Sequence, residues 1–277
     1  MSQTKKGTNF YLCKKVVVII MYTNEEILRI AMEQSALDNN CRAEDFLMTK
    51  NVITESIIGP KARKYFTEPV ACNFVSYGNN IVASVKNEFR AIAAEYISRF
   101  TYYHCFETPN LHWLDQKMEA KGQKVCFMAE YFLPDVRKIK RLPCQYPMKI
   151  LYQNDFADLY VPEWGNALCR DRKELDVLGV GAYDGSRLIG LAGCSADCER
   201  MWQIGIDVLP EYRRQGIAAA LTSNLAMEVL ERELVPFYCC AWSNVRSSKN
   251  AVASGFTPSW VEMTVKPTEM VEKMNQG

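Results

Sequence analysis

The stretch IDVLPEYRRQGIAAAL, Ile206 to Leu221, concentrates residues whose types and spacing suit one kind of chemistry. Arg213, Arg214, Gln215 and Gly216 lead into Ile217, Ala218 and Ala219, a helix start with no Ser, Thr, Asp or Asn to cap it. The first N–H groups of a helix have no intrahelical acceptor and lie at the positive end of its dipole. Gly216 lets the backbone approach a ligand closely, and Arg213 or Arg214 can add charge-assisted bonds, so the expected chemistry is the cradling of a phosphate or pyrophosphate. No Gly-Lys-Ser or Gly-Lys-Thr follows, which argues against a nucleotide-hydrolysing loop. An ordinary helix start with two solvated arginines fits the same residues, so the surrounding elements decide.

Other groups carry weaker signals. His104, Glu107 and His112 form a polar cluster, but no nucleophile or orienting acid accompanies them, and a solvated loop accounts for them. Cys194 and Cys198 with the two distant histidines, His104 and His112, are the candidates for a metal site, but the cysteines read better as buried structural thiols; no metal is expected. In GVGAYDG the third glycine is one residue late for a dinucleotide fingerprint, and the Asp184-Gly185 pair belongs to a hairpin turn.

The elements that position these residues follow from pattern. Thr23 and Glu26 form a capping box for a first helix to about Leu37. NFVSYGNNIVASV reads as a hairpin about Gly78-Asn79-Asn80, followed by a helix whose stripe is Phe89, Ile92, Ala93, Tyr96, Ile97 and Phe100. Asn110 is expected to cap a further helix to Met118, Gly122 to end it, and VCFMAEYFL to form a strand. Pro134, Pro143 and Pro147 with RKIKR between them suggest a linker, giving domains at residues 1–145 and 146–277. The second contains a strand (MKILYQ), a helical region from Asp155 to about Arg172, and strands DVLGVGAY, RLIGLAGCSA and MWQIGIDVL. A helix from Gly216, a strand PFYCCAW, a helix from Val245 and a strand WVEMTVK complete it.

Composition bounds the partners. Lys and Arg number 33 against 32 Asp and Glu, so no global field draws the protein to nucleic acid or an anionic membrane. The run VVVIIM, Val16 to Met21, is too short to cross a bilayer, and the two lysines before it lead to no small-residue cleavage site. Eleven cysteines, odd in number and without C-x-x-C spacing, point to a reduced, cytoplasmic setting.

Arg213, Gly216 and Ala218 match the pattern Gln or Arg, two residues, Gly, one residue, Gly or Ala, and the preceding IDVLPEYR supplies a strand and turn. Asn244, eleven residues before Gly255-Phe256, stands where a later motif carries an asparagine. In these residues the chain, from about Met148 to Lys266, resembles the GNAT superfamily of acyl-CoA-dependent N-acetyltransferases. The resemblance implies an α/β (α+β) fold with a mixed, mostly antiparallel sheet flanked by helices. The N-terminal α/β domain would be a degenerate copy of that fold or an unrelated recognition cap. It implies acetyl-CoA as cosubstrate, lying between the Met201–Leu209 and Pro236–Trp242 strands, which splay apart. Its pantetheine arm would pair with the backbone of Ile206, Asp207 and Val208, as a peptide adds to a sheet edge. Its pyrophosphate would sit on amides from Arg214 to Ala219. A small-molecule amine is the expected acceptor, with a peptide N-terminus or a lysine left open; the alternative is an acyl-CoA-binding sensor or regulatory module that has lost turnover, and the protein is expected to be a monomer or homodimer.

The resemblance also implies that the Ile206 N–H stabilises the oxyanion. Where family members place a tyrosine as general acid, this chain has Ala251, leaving Cys240, Tyr238, Asn250 through a water, or solvent. Where some carry a strand glutamate, it has Trp202; Asp197 and Glu199 lie nearby in a turn that reads as solvated. Trp202 and Trp242 either shape an acceptor pocket or belong to the core.

Overall fold

The computed structural model describes residues 22–276, so the run from Val16 to Met21 lies outside the described residues. Thr23 caps α1 (Asn24–Asp38) through the expected box: its hydroxyl accepts from the Glu26 N–H, and the Glu26 carboxylate accepts from the Thr23 N–H at 2.7 Å. After β1 (Val52–Glu55), the strands β2 (Cys72–Ser76) and β3 (Val82–Val85) pair antiparallel about Gly78, whose φ of 95° only glycine adopts without strain. The helix α2 (Arg90–Arg99) and the preceding turn bury Phe89, Ala93, Tyr96 and Ile97. Then α3 (Thr108–Glu119) starts earlier than Asn110. Pro109 suits its first turn, and Asn110 Nδ2 donates to the His104 carbonyl rather than capping the helix. Gly122, at φ 69°, leads into β4 (Gln123–Pro134).

The second half begins with β5 (Met148–Tyr152). The helix expected from Asp155 to Arg172 does not form. Three short 3₁₀ turns, Gln153–Phe156, Pro162–Trp164 and Arg170–Leu175, replace it, since Pro162 withholds a donor and Gly165 offers no propensity. Phe156, Trp164 and Leu168 pin this segment to Leu191. Next, β6 (Asp176–Asp184), β7 (Arg187–Ser195) and β8 (Met201–Val208) form an antiparallel meander with Gly185 at one tip. α4 (Ile217–Leu230) crosses over to β9 (Val235–Ala241), parallel to β8. Every residue of α4 from Ala220 onward is buried, as expected for a helix apolar nearly all round, and it packs on β6, β7 and β8. α5 (Val245–Ala253), β10 (Phe256–Pro267) and α6 (Thr268–Asn275) follow.

The ten strands of the described residues form one mixed, mostly antiparallel sheet in the order β1-β3-β2-β10-β4-β9-β8-β7-β6-β5, flanked by helices. Among the described residues, only β1–β3 and β8–β9 are parallel. The boundary expected at residues 145/146 falls between β4 and β5, yet strands from both sides share the sheet: the last strand, β10, lies between β2 and β4, and β4 lies between β10 and β9. Among the described residues, no helix is long and apolar enough to cross a membrane.

Candidate functional site

β8 and β9 are partners only from Met201↔Val235 to Ile204↔Tyr238. Beyond that point Gly205 to Val208 stay with β7, while Cys239 to Ala241 stay with β4, so the two strands part. Register fixes what faces the gap. Leu209 N–H bonds the Ile189 carbonyl at 3.0 Å, and alternation along an antiparallel ladder then directs the Asp207 and Gly205 peptides to β7. The N–H and C=O of Ile206 and Val208 point the other way, into a cleft of about 1010 Å³.

The start of α4 forms one end of that cleft. Gly216, the residue before the helix, has φ 78°, and Arg214 has φ 63°. Among the described residues, the amides of Arg214 to Ala219 have no protein acceptor; Ala220 is the first to close a helical bond, to the Gly216 carbonyl. Arg213, Arg214, Gly216, Ile217, Ala218 and Ala219 all line the cleft. Arg213 Nε, however, donates to the Val208 carbonyl at 2.9 Å, so it ties the turn to the strand end and occupies one of the two carbonyls facing the gap.

Two predicted residues are turned elsewhere. The Gln215 side chain is held by Gln145 and Tyr146. The Asp207 carboxylate accepts from the Asn166 and Ala167 amides and from Asn166 Nδ2 at 2.7–2.9 Å. It thereby fixes a segment that lies directly on the strands: a Cβ at Gly205 would come within 1.9 Å of the Asn166 carbonyl oxygen, and one at Gly193 within 2.1 Å of that of Ala167. The sequence reading missed this wall, although glycine inside a strand is a signal of close backbone approach.

Asn244 caps α5 on the opposite side, its Oδ1 accepting from Ser247 N at 3.2 Å. Ser247 Oγ is 2.7 Å from the Tyr238 hydroxyl, and both line the cleft. Burial raises the Tyr238 phenol above its ordinary value, against hydrogen bonds from Ser247 and Asn250 that lower it, so it stays protonated at neutral pH. Burial likewise raises the Cys240 thiol and pushes that of Cys239 up to about 12. Ala251 is fully buried behind this wall, and Asn250 Nδ2 donates to Thr222 Oγ1 at 3.0 Å.

A second cavity, about 350 Å³, adjoins the cleft where the strands begin to part; Phe127, Gln203 and Cys239 line both. Gln203 Nε2 reaches Cys239 Sγ at 3.2 Å across β8 and β9. Glu262, Thr264 and Lys266, alternate residues on one face of β10, line the cavity. Beside them Arg63 is buried, 2% exposed, between two carboxylates. Its Nε bonds Asp38, its NH2 bonds Glu262 at 2.7 Å, and its NH1 reaches the Tyr65 hydroxyl at 2.9 Å. Trp260 Nε1 also donates to Glu262. Arg63 and Glu262 are 199 positions apart, and no local pattern foretells their pairing.

The remaining candidates fall outside the cleft. Asp197 is fully buried, not solvated; burial raises its carboxyl, opposed by Arg172 at 3.2 Å. Glu199 is exposed and pairs with Lys61. Trp202 lines neither cavity, and Trp242, 41% exposed, faces Phe106 in a separate aromatic hollow. His104, half-buried, and Glu107, exposed, are 3.8 Å apart.

A mostly antiparallel sheet, flanked by helices and opened at one parallel strand pair beside an uncapped helix start, defines the structural class. Residues 118–259, just over half of the chain, match the family model described as GNAT acetyltransferase, and the chain belongs to that family. The match includes β4, which the sequence comparison of motifs had left outside. Similar solved structures include a GNAT-family protein from Novosphingobium aromaticivorans: 17% identity, TM-score 0.43, 52% of this chain and 66% of that one, just under two thirds of its length. Another is a GCN5-related N-acetyltransferase-like protein from Streptococcus suis, with 21% identity, TM-score 0.42 and coverage of 56% and 67%. A third, a GNAT-family acetyltransferase from Colwellia psychrerythraea, has 17% identity, TM-score 0.41 and coverage of 72% and 82%. No curated protein matches the sequence of this chain.

Proposed function

We propose that the protein transfers an acetyl group from acetyl-CoA to the nitrogen of a small-molecule amine. The observation that carries this reading is the parting of β8 from β9 beside α4 amides that have no protein acceptor. A pyrophosphate supplies acceptors for those amides, and an amide-rich pantetheine arm pairs with the exposed peptides of Ile206 and Val208 as an added strand would. Asn244 lies on the facing wall.

The amine nitrogen, entering from the adjoining cavity, attacks the thioester carbonyl carbon. Ile206 N–H bonds the oxygen as it becomes negative, which stabilises the tetrahedral stage. The C–S bond then breaks, the thiolate takes a proton, and the nitrogen gives one to water. Tyr238, protonated and oriented by Ser247, is the proton donor this geometry favours in place of a side chain at Ala251. The reaction is neutral in charge and requires no oxidant.

Calorimetry with acetyl-CoA and release of free CoA thiol over a panel of amines test the reading together. Expected are saturable binding and amine-dependent release, with Tyr238→Phe lowering kcat by about 10²-fold. Binding without release for any amine would leave an acyl-CoA sensor, and no binding at all would remove the cofactor from the account.

A further inference from the structure

We propose that the acceptor is an extended amine with a carboxylate at its far end, its nitrogen near Gln203 and Cys239 and its anion between Lys86 and Lys266. The inference rests on the acyl-transfer reading above and adds the substrate class.

The cavity that adjoins the parted strands has two electrically distinct ends. At the end near the strands lies the Glu262 carboxylate, which accepts from Arg63 and from Trp260 Nε1 and offers an acceptor to the N–H groups of an incoming amine. Toward the other end lie Lys86 and Lys266, both partly buried, and neither has an ion-pair partner among the described residues. Residues 1–21 contain no Asp or Glu, so no side chain from that segment supplies one. The third cation of the lining, Arg172, already faces Asp197. Glu68 also lines the cavity, but it is exposed and more than salt-bridge distance from either lysine, and the pair outnumbers it.

The ground between the two ends is polar and unsatisfied. Thr264, 7% exposed and midway between Glu262 and Lys266 on β10, has a hydroxyl with no hydrogen-bond partner among the described residues. The side-chain carbonyl of Gln123, in the same lining, also lacks one. Buried polar groups left unpaired carry a cost that a ligand's own polar groups relieve.

Register gives the length. Cys239 is level with Tyr131, and Tyr131 with Trp260; Lys266 lies six residues further along β10, about 20 Å at strand spacing. Lysine stems extend inward from that distance, so an α-amino acid is too short to meet both ends. A volume of about 350 Å³ sits at the small end of the range for ligand pockets and excludes a bulky acceptor.

The test compares 8-aminooctanoate with 8-aminooctanamide, matched in length and differing in the terminal charge, by CoA thiol release. Expected is a kcat/KM preference of about tenfold or more for the carboxylate, from charge-assisted bonding to the lysines, falling as salt is added. In the Lys86→Ala/Lys266→Ala double variant, confirmed folded by its thermal transition, the preference collapses toward unity through KM. Lys266→Glu alone should reverse it. Equal rates for the two amines in the unaltered protein, or a preference that the double variant keeps, would overturn the inference while leaving acyl transfer standing. If neither amine reacts, calorimetry with each in the presence of CoA decides: equal or absent binding overturns it as well. Failure to bind acetyl-CoA sinks the transfer reading, and this inference with it.

Discussion

At the scale of single residues, Gly216 carries the most specific expectation. A Cβ there would meet nothing within 4 Å, so no packing forbids one; the residue nevertheless sits at φ 78° and lines the cleft. Gly216→Val therefore has two separable effects: backbone strain of about 1–2 kcal/mol, and a side chain in the space a diphosphate needs. Calorimetry should show acetyl-CoA affinity falling by tenfold or more, with Gly216→Ala losing less; unchanged affinity in the valine variant would remove the diphosphate from that helix start. Asp176 offers a pH-dependent case. Burial pushes its carboxyl up to about 6, against hydrogen bonds from the Cys169 N–H and Tyr160 and the pull of Arg172. A carboxyl raised in the folded state stabilises while protonated, so its contribution is complete below about pH 4 and lost as pH rises through about 6. Asp176→Asn keeps an oxygen for Cys169 and cannot ionise. Denaturant titrations should find it gaining about 1–3 kcal/mol on the unaltered protein between pH 4 and pH 8; parallel curves would show that Asp176 ionises normally. The run of unpaired amides at the start of α4 was legible because its donors are consecutive backbone groups. Arg63, Asp38 and Glu262 were not, because their meeting depends on chain segments brought together only by the complete sheet.

Elements show the same division. The strands and crossover around the cleft could be read from apolar runs and turn glycines, since each such signal spans a few adjacent residues. The Asp155 to Arg172 segment misled for a physical reason: its apolar residues anchor short turns on Leu191 instead of forming one helical stripe. That segment is the wall held by Asp207 and admitted by Gly193 and Gly205. Gly205→Ala would drive a methyl into the Asn166 carbonyl and should cost about 3 kcal/mol of stability as the segment shifts. Because Asn166 lines the cleft, the same variant should weaken acetyl-CoA binding, whereas Gly78→Ala, distant on the β2–β3 turn, should lose stability without that weakening. Equal affinities in the two variants would mean that the Asn166 wall does not shape the cofactor's space.

For the whole molecule, the decisive feature is where the chain's end goes. Motifs divided the sequence near Met148, but β10 returns to pair with β4 along the ladder from Phe256↔Pro134 to Pro267↔Gln123, and with β2 on its other edge. β4 in turn closes the outer edge of β9, the strand that carries Tyr238. No sequence period reveals this, because a strand's partners are set by the hydrophobic surface it finds rather than by its own residues. A fragment beginning at Met148 would leave β9 and both edges of β10 open and would strip Tyr131 and Phe132 from Phe237, Tyr238 and Trp260. Such a fragment should lack both a cooperative thermal transition and near-ultraviolet circular dichroism, and calorimetry should detect no acetyl-CoA binding. If it instead unfolds cooperatively and binds the cofactor, the first 147 residues are an appendage to an independent acyltransferase, and the continuity of the sheet contributes nothing to holding β8 and β9 apart.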